Sequence, residues 1–122
     1  PELIEQNLLN KTKANPYDID SWRELSFLYV ENERYNEAIE ISIKALEIDD
    51  DFDILLNLAV AYYAINKIKN SLIEFKKAMD WIEEIEDIEE IRKALDQAYE
   101  INPDSNAVEN LYDELEELEK EL

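Results

Sequence analysis

The sequence predicts an all-α protein built from stacked helical hairpins. Its 122 residues include no glycine and three prolines, Pro1, Pro16 and Pro103, and these two residue types are the least compatible with a helix interior. Apolar residues recur with the 3.6-residue period of amphipathic helices. A pattern of apolar and small residues also repeats after 33 residues, which indicates a solenoid whose hairpins bury their faces against each other.

The apolar period places the helices in order along the chain. The first is expected over 2–13, where Ile4, Leu8 and the stem of Lys11 share one side. The following helices are expected over 20–31, 35–48, 52–65 and 69–82, and the last over 105–122. Connections of this length join antiparallel neighbours.

The helix ends follow from capping residues. Asp20, Asp51 and Ser105 are the expected N-caps, since their side-chain oxygens can accept hydrogen bonds from free N–H groups of the first turn. Left-handed helix ends favour glycine, and asparagine is the next most tolerant residue. Because glycine is absent, we expect asparagine to serve where the pattern breaks, at Asn15, Asn32, Asn66 and Asn102.

The isoleucine-rich stretch that ends at Ile101 has two interpretations. Four isoleucines stand three residues apart, at Ile82, Ile85, Ile88 and Ile91. On one straight helix they would spread over half the circumference. We therefore favour a break near 83–87 and then a short helix near 87–101 that stands in for the first helix of another hairpin, with Asp87 and Glu90 as a capping box. The alternative is a fifth helix that continues unbroken to Ile101.

The 33-residue repeat is clearest at matching positions. In the first helix of each hairpin, Trp22, Leu25, Ser26 and Tyr29 align with Leu55, Leu58, Ala59 and Tyr62. In the second helix, Tyr35, Ala38 and Ala45 align with Ile68, Ser71 and Ala78. These residues resemble the tetratricopeptide repeat, W-x2-L-G-x2-Y followed by a small residue, an aromatic, a second small residue and a proline. Ser42 departs from the pattern, because it stands where the second copy has the aromatic Phe75.

The resemblance covers Pro16–Ile82 and implies a right-handed α-α superhelix with a C-terminal capping helix. It divides a single domain into an N-terminal helix over 2–13, repeats over 16–50 and 51–82, an irregular third unit over 83–104 and the capping helix over 105–122. The first helix resembles the second helix of a preceding hairpin, so a fragment of a larger solenoid-containing protein is an alternative.

Charge and missing residue types exclude many functions. Lys and Arg number 12 against 32 Asp and Glu, a net charge of −20, so we expect no nucleic-acid or membrane partner. The absence of Gly, His and Cys removes phosphate-binding loops, common zinc sites and the usual nucleophile pairs, so we expect neither an enzyme nor a cofactor. No apolar run approaches the roughly 20 residues of a membrane span, and no signal-peptide region opens the chain, so we expect a cytoplasmic protein.

The acidic cluster of Asp49, Asp50, Asp51 and Asp53 is the strongest candidate metal site. It resembles both an Asp-Asp-x-x-Asp magnesium motif and the start of a calcium loop. However, Ile54 stands where the calcium loop needs glycine, and the magnesium motif would need a second acidic motif in a larger cavity. We therefore expect no metal, and a turn between repeats in which Asp51 caps the next helix.

A second apolar stripe lies beside the core face of the first helix of each hairpin. At 100° per residue, Arg23, Phe27 and Val30 fall roughly 80–140° from Trp22. The resemblance implies that these helices line a concave groove. The predicted partner-binding residues are therefore Arg23, Phe27, Val30, Leu56, Asn57, Val60 and Tyr63. Exposed apolar patches of this kind mark interfaces. The alternative, which stays open, is that the chain's own C-terminal helices cover the stripe.

The function expected from these features is that of a non-catalytic module that binds a protein or peptide segment. The segment should be apolar with basic flanks, because acidic residues around the groove attract basic ones. The alternative is a homodimer or larger assembly, through the same stripe or through a seam of the last helix that comprises Val108, Leu111, Leu115, Leu118 and Leu122. The need of a solenoid for a closed end favours capping as the role of that helix.

Overall fold

The computed structural model describes residues 2–103 and 106–122, and these residues form α-helices and no strand. In chain order the helices are α1 (Glu2–Ala14), α2 (Ile19–Glu31), α3 (Tyr35–Ile48), α4 (Phe52–Ala64), α5 (Ile68–Met79), α6 (Ile85–Ile101) and α7 (Glu109–Glu121). The prediction of an all-α protein is confirmed. None of the described helices combines the length and the apolar character that crossing a bilayer requires.

The helices stack at a constant interval. Ile19, Phe52 and Ile85, the first residues of α2, α4 and α6, are 33 residues apart, and the same interval separates the starts of α3 and α5. α3 packs against α2 and α4, α5 packs against α4, and α6 packs against α4 and α7. Each hairpin therefore buries its apolar faces against its neighbours, which makes the chain a helical-hairpin solenoid.

Small buried side chains let the two helices of a hairpin approach closely. Ser26, Ala38, Ala59 and Ser71 are fully buried. Across the second hairpin, Ser71 Oγ donates a 2.6 Å hydrogen bond to the Ala59 carbonyl oxygen. Larger fully buried side chains fill the space between hairpins, among them Leu25, Phe75, Ile88, Ile91 and Leu95.

The isoleucine-rich stretch contains a helix break, as the favoured interpretation predicts. α5 ends at Met79, and α6 begins at Ile85. The predicted capping box of Asp87 with Glu90 is wrong, because the helix begins before Asp87. Asp87 Oδ2 instead accepts hydrogen bonds from the backbone N–H groups of Glu83 and Glu84, at 2.9 and 3.1 Å, and so caps the first turn from inside the helix.

Two of the predicted N-caps can be compared with the structure. Asp51 caps α4, and its Oδ1 accepts a 2.9 Å hydrogen bond from the Ile54 N–H group. For α2 the prediction is wrong, since Asp18 and not Asp20 is the N-cap. Ser105 lies outside the described residues.

The cap of α2 is displaced by a contact outside the helix. Trp22 Nε1 donates a 2.9 Å hydrogen bond to the Pro16 carbonyl oxygen, which ties the preceding turn to the helix. The helix consequently starts at Ile19. Asp18 then accepts hydrogen bonds from the backbone N–H and the hydroxyl of Ser21, at 3.4 and 2.6 Å.

Residues with a left-handed backbone conformation occur at equivalent positions of the repeat, and not wherever an asparagine stands. Among the described residues Glu33 and Asn66 have positive φ, of 59° and 65°, and they are 33 residues apart. The prediction is thus correct for Asn66 and wrong for Asn15, Asn32 and Asn102. The turn between the two helices of a hairpin needs this conformation at one fixed position, and Asn32 precedes that position by one residue.

Candidate partner-binding cleft

A cleft of about 370 Å³ lies over α4, between α2 and α6. It is lined by Arg23, Phe27, Asp53, Leu56, Asn57, Glu90, Lys93, Ala94 and Gln97. Leu56 and Ala94 are buried and give the cleft an apolar floor, whereas the Phe27 side chain is 54% exposed. The cleft therefore combines an accessible aromatic ring with charged side chains at its edge.

A second recess of about 470 Å³ adjoins the first, since Gln97 lines both. It is bordered by Val30, Tyr35 and Ile101 and by three carboxylates, Glu31, Glu33 and Glu100. Together the two recesses extend along the gap between α2 and α6, with acidic residues at both ends.

The structure brings together five of the seven predicted residues. Four line the cleft, namely Arg23, Phe27, Leu56 and Asn57, and Val30 lines the second recess. Val60 and Tyr63 are only 2% and 0% exposed and belong to the core. Val30 and Leu56 are buried in the same core, at 3% and 6% exposed, so the expectation of a groove that exposes all seven side chains is corrected for these four residues.

Val60 and Tyr63 are buried because the face of α4 that carries them is not left open. α6 packs directly against α4. Asn102, just after α6, donates from Nδ2 to the Tyr63 carbonyl oxygen at 3.4 Å and to Asn66 Oδ1 at 3.2 Å. The alternative in which the chain's own C-terminal helices cover the stripe is thus correct for this part of it.

Arg23 is held by carboxylates at one end of the cleft. Its Nε donates to Asp51 Oδ1 and Oδ2 at 3.2 and 3.0 Å, and a second guanidinium nitrogen also contacts Asp51. Its Nη1 donates to Asp20 Oδ1 at 2.7 Å. These partners, Asp51 above all, raise the pKa of Arg23 above its usual value. Because the guanidinium is already satisfied, it stabilises the contact of α2 with α4 and has little capacity left for an anionic ligand.

Asp53, at one end of the cleft, lies among other charged side chains, and its Oδ2 is 3.7 Å from Arg23 Nε. Burial raises the pKa of Asp53, and the negative charges of Asp51 and Glu90 raise it further, although the charge of Arg23 lowers it. The nearest cation to Glu90 is Lys93, whose Nζ lies 3.4 Å from Glu90 Oε1. A cation placed between Asp53 and Glu90 would relieve this unfavourable interaction.

Asn57 connects the floor of the cleft to its wall. Its Nδ2 donates a 2.9 Å hydrogen bond to Ser26 Oγ on α2. The small Ser26 side chain allows this approach, and its hydroxyl in turn donates to the Arg23 carbonyl oxygen at 2.9 Å. The position of Phe27 relative to α4 is therefore maintained by polar contacts as well as by packing.

Sequence reasoning missed the contribution of α6 to the cleft, which consists of Glu90, Lys93, Ala94 and Gln97. A signal for it was present. Ile88, Ile91 and Leu95 stand 33 residues after Leu55, Leu58 and Tyr62, so the repeat continues into the third unit. Extending the alignment by one interval would have placed α6 beside α4.

The acidic cluster and the last helix have structural roles. Asp51 caps α4 and binds Arg23, and within 2–103 and 106–122 no group of three or more acidic side chains is arranged to hold a metal ion. In α7 and just before it, Val108, Leu111 and Leu115 are buried within the chain. Arg92 of α6 also pairs with Glu119 at 2.7 Å. The first three residues of the predicted seam are thus buried, as expected of a capping helix that packs on α6, whereas Leu122, the last, is 57% exposed.

The match to a known family falls on the first hairpin. Residues 19–52 match the model of the tetratricopeptide repeat, a segment that begins with α2, includes α3 and ends at the first residue of α4. A comparison with curated proteins gives no match. The chain thus contains a match to the tetratricopeptide repeat over 19–52, and further hairpins are stacked on the matched one at the same 33-residue interval.

Proposed function

We propose that this protein binds a segment of another protein in the cleft between α2, α4 and α6. Tetratricopeptide repeats generally mediate interactions between proteins. The observation that carries the proposal is Phe27, an aromatic side chain that is 54% exposed beside the apolar floor of Leu56 and Ala94. Aromatic side chains in such recesses are the usual anchors of protein interfaces.

The proposed partner segment is apolar with basic flanks. An apolar side chain laid on Phe27 would remove apolar surface from water and so favour binding. Lysine or arginine beside it would meet Asp53 and Glu90 at one end of the gap, or Glu31, Glu33 and Glu100 at the other. A carboxylate in the segment would meet repulsion instead, since Arg23 is already occupied by Asp51 and Asp20.

The proposal is of a non-catalytic module, as the family is. The predicted absence of nucleic-acid and membrane partners and the cytoplasmic location stay predictions. The fragment alternative also stays a prediction, and it is compatible with the same binding cleft.

Selection from a random synthetic peptide library tests the proposal. The chain is immobilised, and bound peptides are sequenced and then measured singly by calorimetry. We expect enrichment of a large apolar residue next to lysine or arginine, and Phe27→Glu should abolish binding. Tyr17→Glu is the matched control, because Tyr17 is 81% exposed and lies outside the cleft. Enrichment of acidic peptides, or equal binding by Phe27→Glu, would contradict the proposal.

The charge of the cleft can be tested separately with a selected peptide. Asp53→Asn combined with Glu90→Gln should weaken binding of the lysine-containing peptide more than that of a version with lysine replaced by glutamine. The association rate should also fall as salt rises, since acidic residues steer a basic partner towards the cleft. A rate that is independent of salt would leave no role for this steering.

A further inference from the structure

Helix α5 presents a basic surface on a strongly acidic protein. Its three lysines, Lys69, Lys76 and Lys77, are exposed, while its single carboxylate, Glu74, is buried. Lys69, Ile73 and Lys76 are spaced by four and three residues, so they lie along one side of the helix. Ile73, between the two lysines, is 54% exposed. This stripe of α5 is an apolar side chain flanked by positive charges.

Helix α7 presents the complementary stripe. It carries seven carboxylates and one lysine, and Glu114, Leu118 and Glu121 repeat the spacing of four and three residues. With Asp113 and Glu117, these three residues line a recess of about 390 Å³. Leu111 and Leu115 are the buried side chains of this helix, and Leu118, next to them, is partly buried against the core. The recess therefore opens on the flank of α7, beside its core-facing side, and Glu114 and Glu121 stand at its exposed edge.

The charges on both stripes are available for pairing. Lys69, Lys76, Glu114 and Glu121 are exposed, and in the part of the chain that the structure describes none of the four takes part in an ion pair. Lys77, by contrast, lies 3.4 Å from Glu74, and Glu117 lies 3.1 Å from Lys120. Two stripes with equal spacing, opposite charge and an apolar residue in the middle can interlock along one helix contact.

We infer that two copies of this protein associate by packing α5 of one copy against α7 of the other. Ile73 of one copy enters the recess beside Leu118 of the second, and Lys69 and Lys76 pair with Glu114 and Glu121. Each copy offers both stripes, so a two-fold arrangement makes the contact twice and closes the dimer. The net charge of −20 opposes association at long range, but at about 0.15 M salt, charges more than about 8 Å apart are largely screened, whereas the pairs in contact remain.

Reversing the charge of each stripe tests the inference by analytical ultracentrifugation over a range of concentrations. We expect the mass of the native chain to rise from 14.4 kDa towards twice that value. The Lys69→Glu/Lys76→Glu variant and the Glu114→Lys/Glu121→Lys variant should each raise the dissociation constant of the dimer about tenfold or more. An equal mixture of the two variants should associate again, because every contact in the mixed dimer joins opposite charges.

Two further variants keep the outcome interpretable. Ile73→Lys changes a single exposed residue and should also prevent association. It therefore tests the inference even if either double variant loses helicity. Phe27→Glu lies in the cleft and should leave association unchanged, which separates this inference from the proposed function. The inference is overturned by a native chain that stays at 14.4 kDa at every concentration, by variants that associate as the native chain does, or by a mixture that stays monomeric.

Discussion

Replacing the buried Ser42 with alanine should raise the free energy of unfolding, and replacing the buried Ser71 with alanine should lower it. Ser42 of α3 and Ser71 of α5 are both fully buried. Ser71 Oγ donates a 2.6 Å hydrogen bond to the Ala59 carbonyl oxygen, whereas no hydrogen-bond partner for Ser42 Oγ exists among the described residues. Ser71→Ala therefore removes a hydrogen bond, and Ser42→Ala removes a hydroxyl that lost its water on folding and gained nothing.

The magnitude follows from the two environments. A buried polar group without a partner costs about 1–3 kcal/mol, and a hydrogen bond contributes about 1 kcal/mol net. The better helix propensity of alanine and the loss of one oxygen atom are common to both variants, so they largely cancel in the comparison. We expect the free energy of unfolding of Ser42→Ala to exceed that of Ser71→Ala by about 2 kcal/mol.

Urea unfolding followed by far-UV circular dichroism measures this difference. The dependence of the free energy on urea should be the same in both variants, because neither changes the surface exposed on unfolding. Equal stabilities, or a lower stability for Ser42→Ala, would refute the assignment of hydrogen bonds to the two hydroxyls.

Three other predictions concern carboxylates. Asp51→Ala should lower the free energy of unfolding by about 2 kcal/mol, because loss of an N-cap costs about 1 kcal/mol and the contact with Arg23 is lost as well. Urea unfolding measures this loss, with Asp50→Ala as the exposed control. An equal loss in the control would contradict the prediction. Glu5→Gln should destabilise the protein at neutral pH, because hydrogen bonds from Arg34 and Tyr29 hold the pKa of Glu5 below its usual value of 4.5. That stabilisation is complete above pH 4.5 and is lost as the pH falls through the lower folded-state pKa, so the melting temperatures of the two forms should converge in acid. Asp53→Asn should raise the melting temperature near neutral pH and not in acid, because a raised folded-state pKa means that the ionised carboxylate destabilises the fold; a constant difference at every pH would argue against this cause.

The third hairpin, formed by α6 and α7, shows which features of the fold local sequence patterns can predict. The helices follow from the apolar period, and the N-cap Asp51 follows from a residue and the N–H groups just after it. The start of α6 at Ile85 also follows from the sequence, since it lies one repeat interval after Phe52. The late start of α7 does not, because α6 has 17 residues where α2 and α4 have 13, and the extra turn delays the next helix.

The exposure of the apolar stripe depended on contacts between distant segments. Phe27 and Val60 occupy equivalent positions 33 residues apart, and both are apolar, yet Phe27 is 54% exposed and Val60 is 2% exposed. Helical periodicity identifies the apolar side of a helix, but it does not say which other element covers that side.

The sequence by itself therefore determined the helices, the 33-residue repeat and the resemblance of the first hairpin to the tetratricopeptide repeat, because each depends on residues within one or two hairpins. Only the tertiary structure decided which residues form the cleft and which carboxylates surround Arg23. Both depend on how α6 and the turn before α4 pack against helices formed elsewhere in the chain, and burial and ion pairing are properties of that packing.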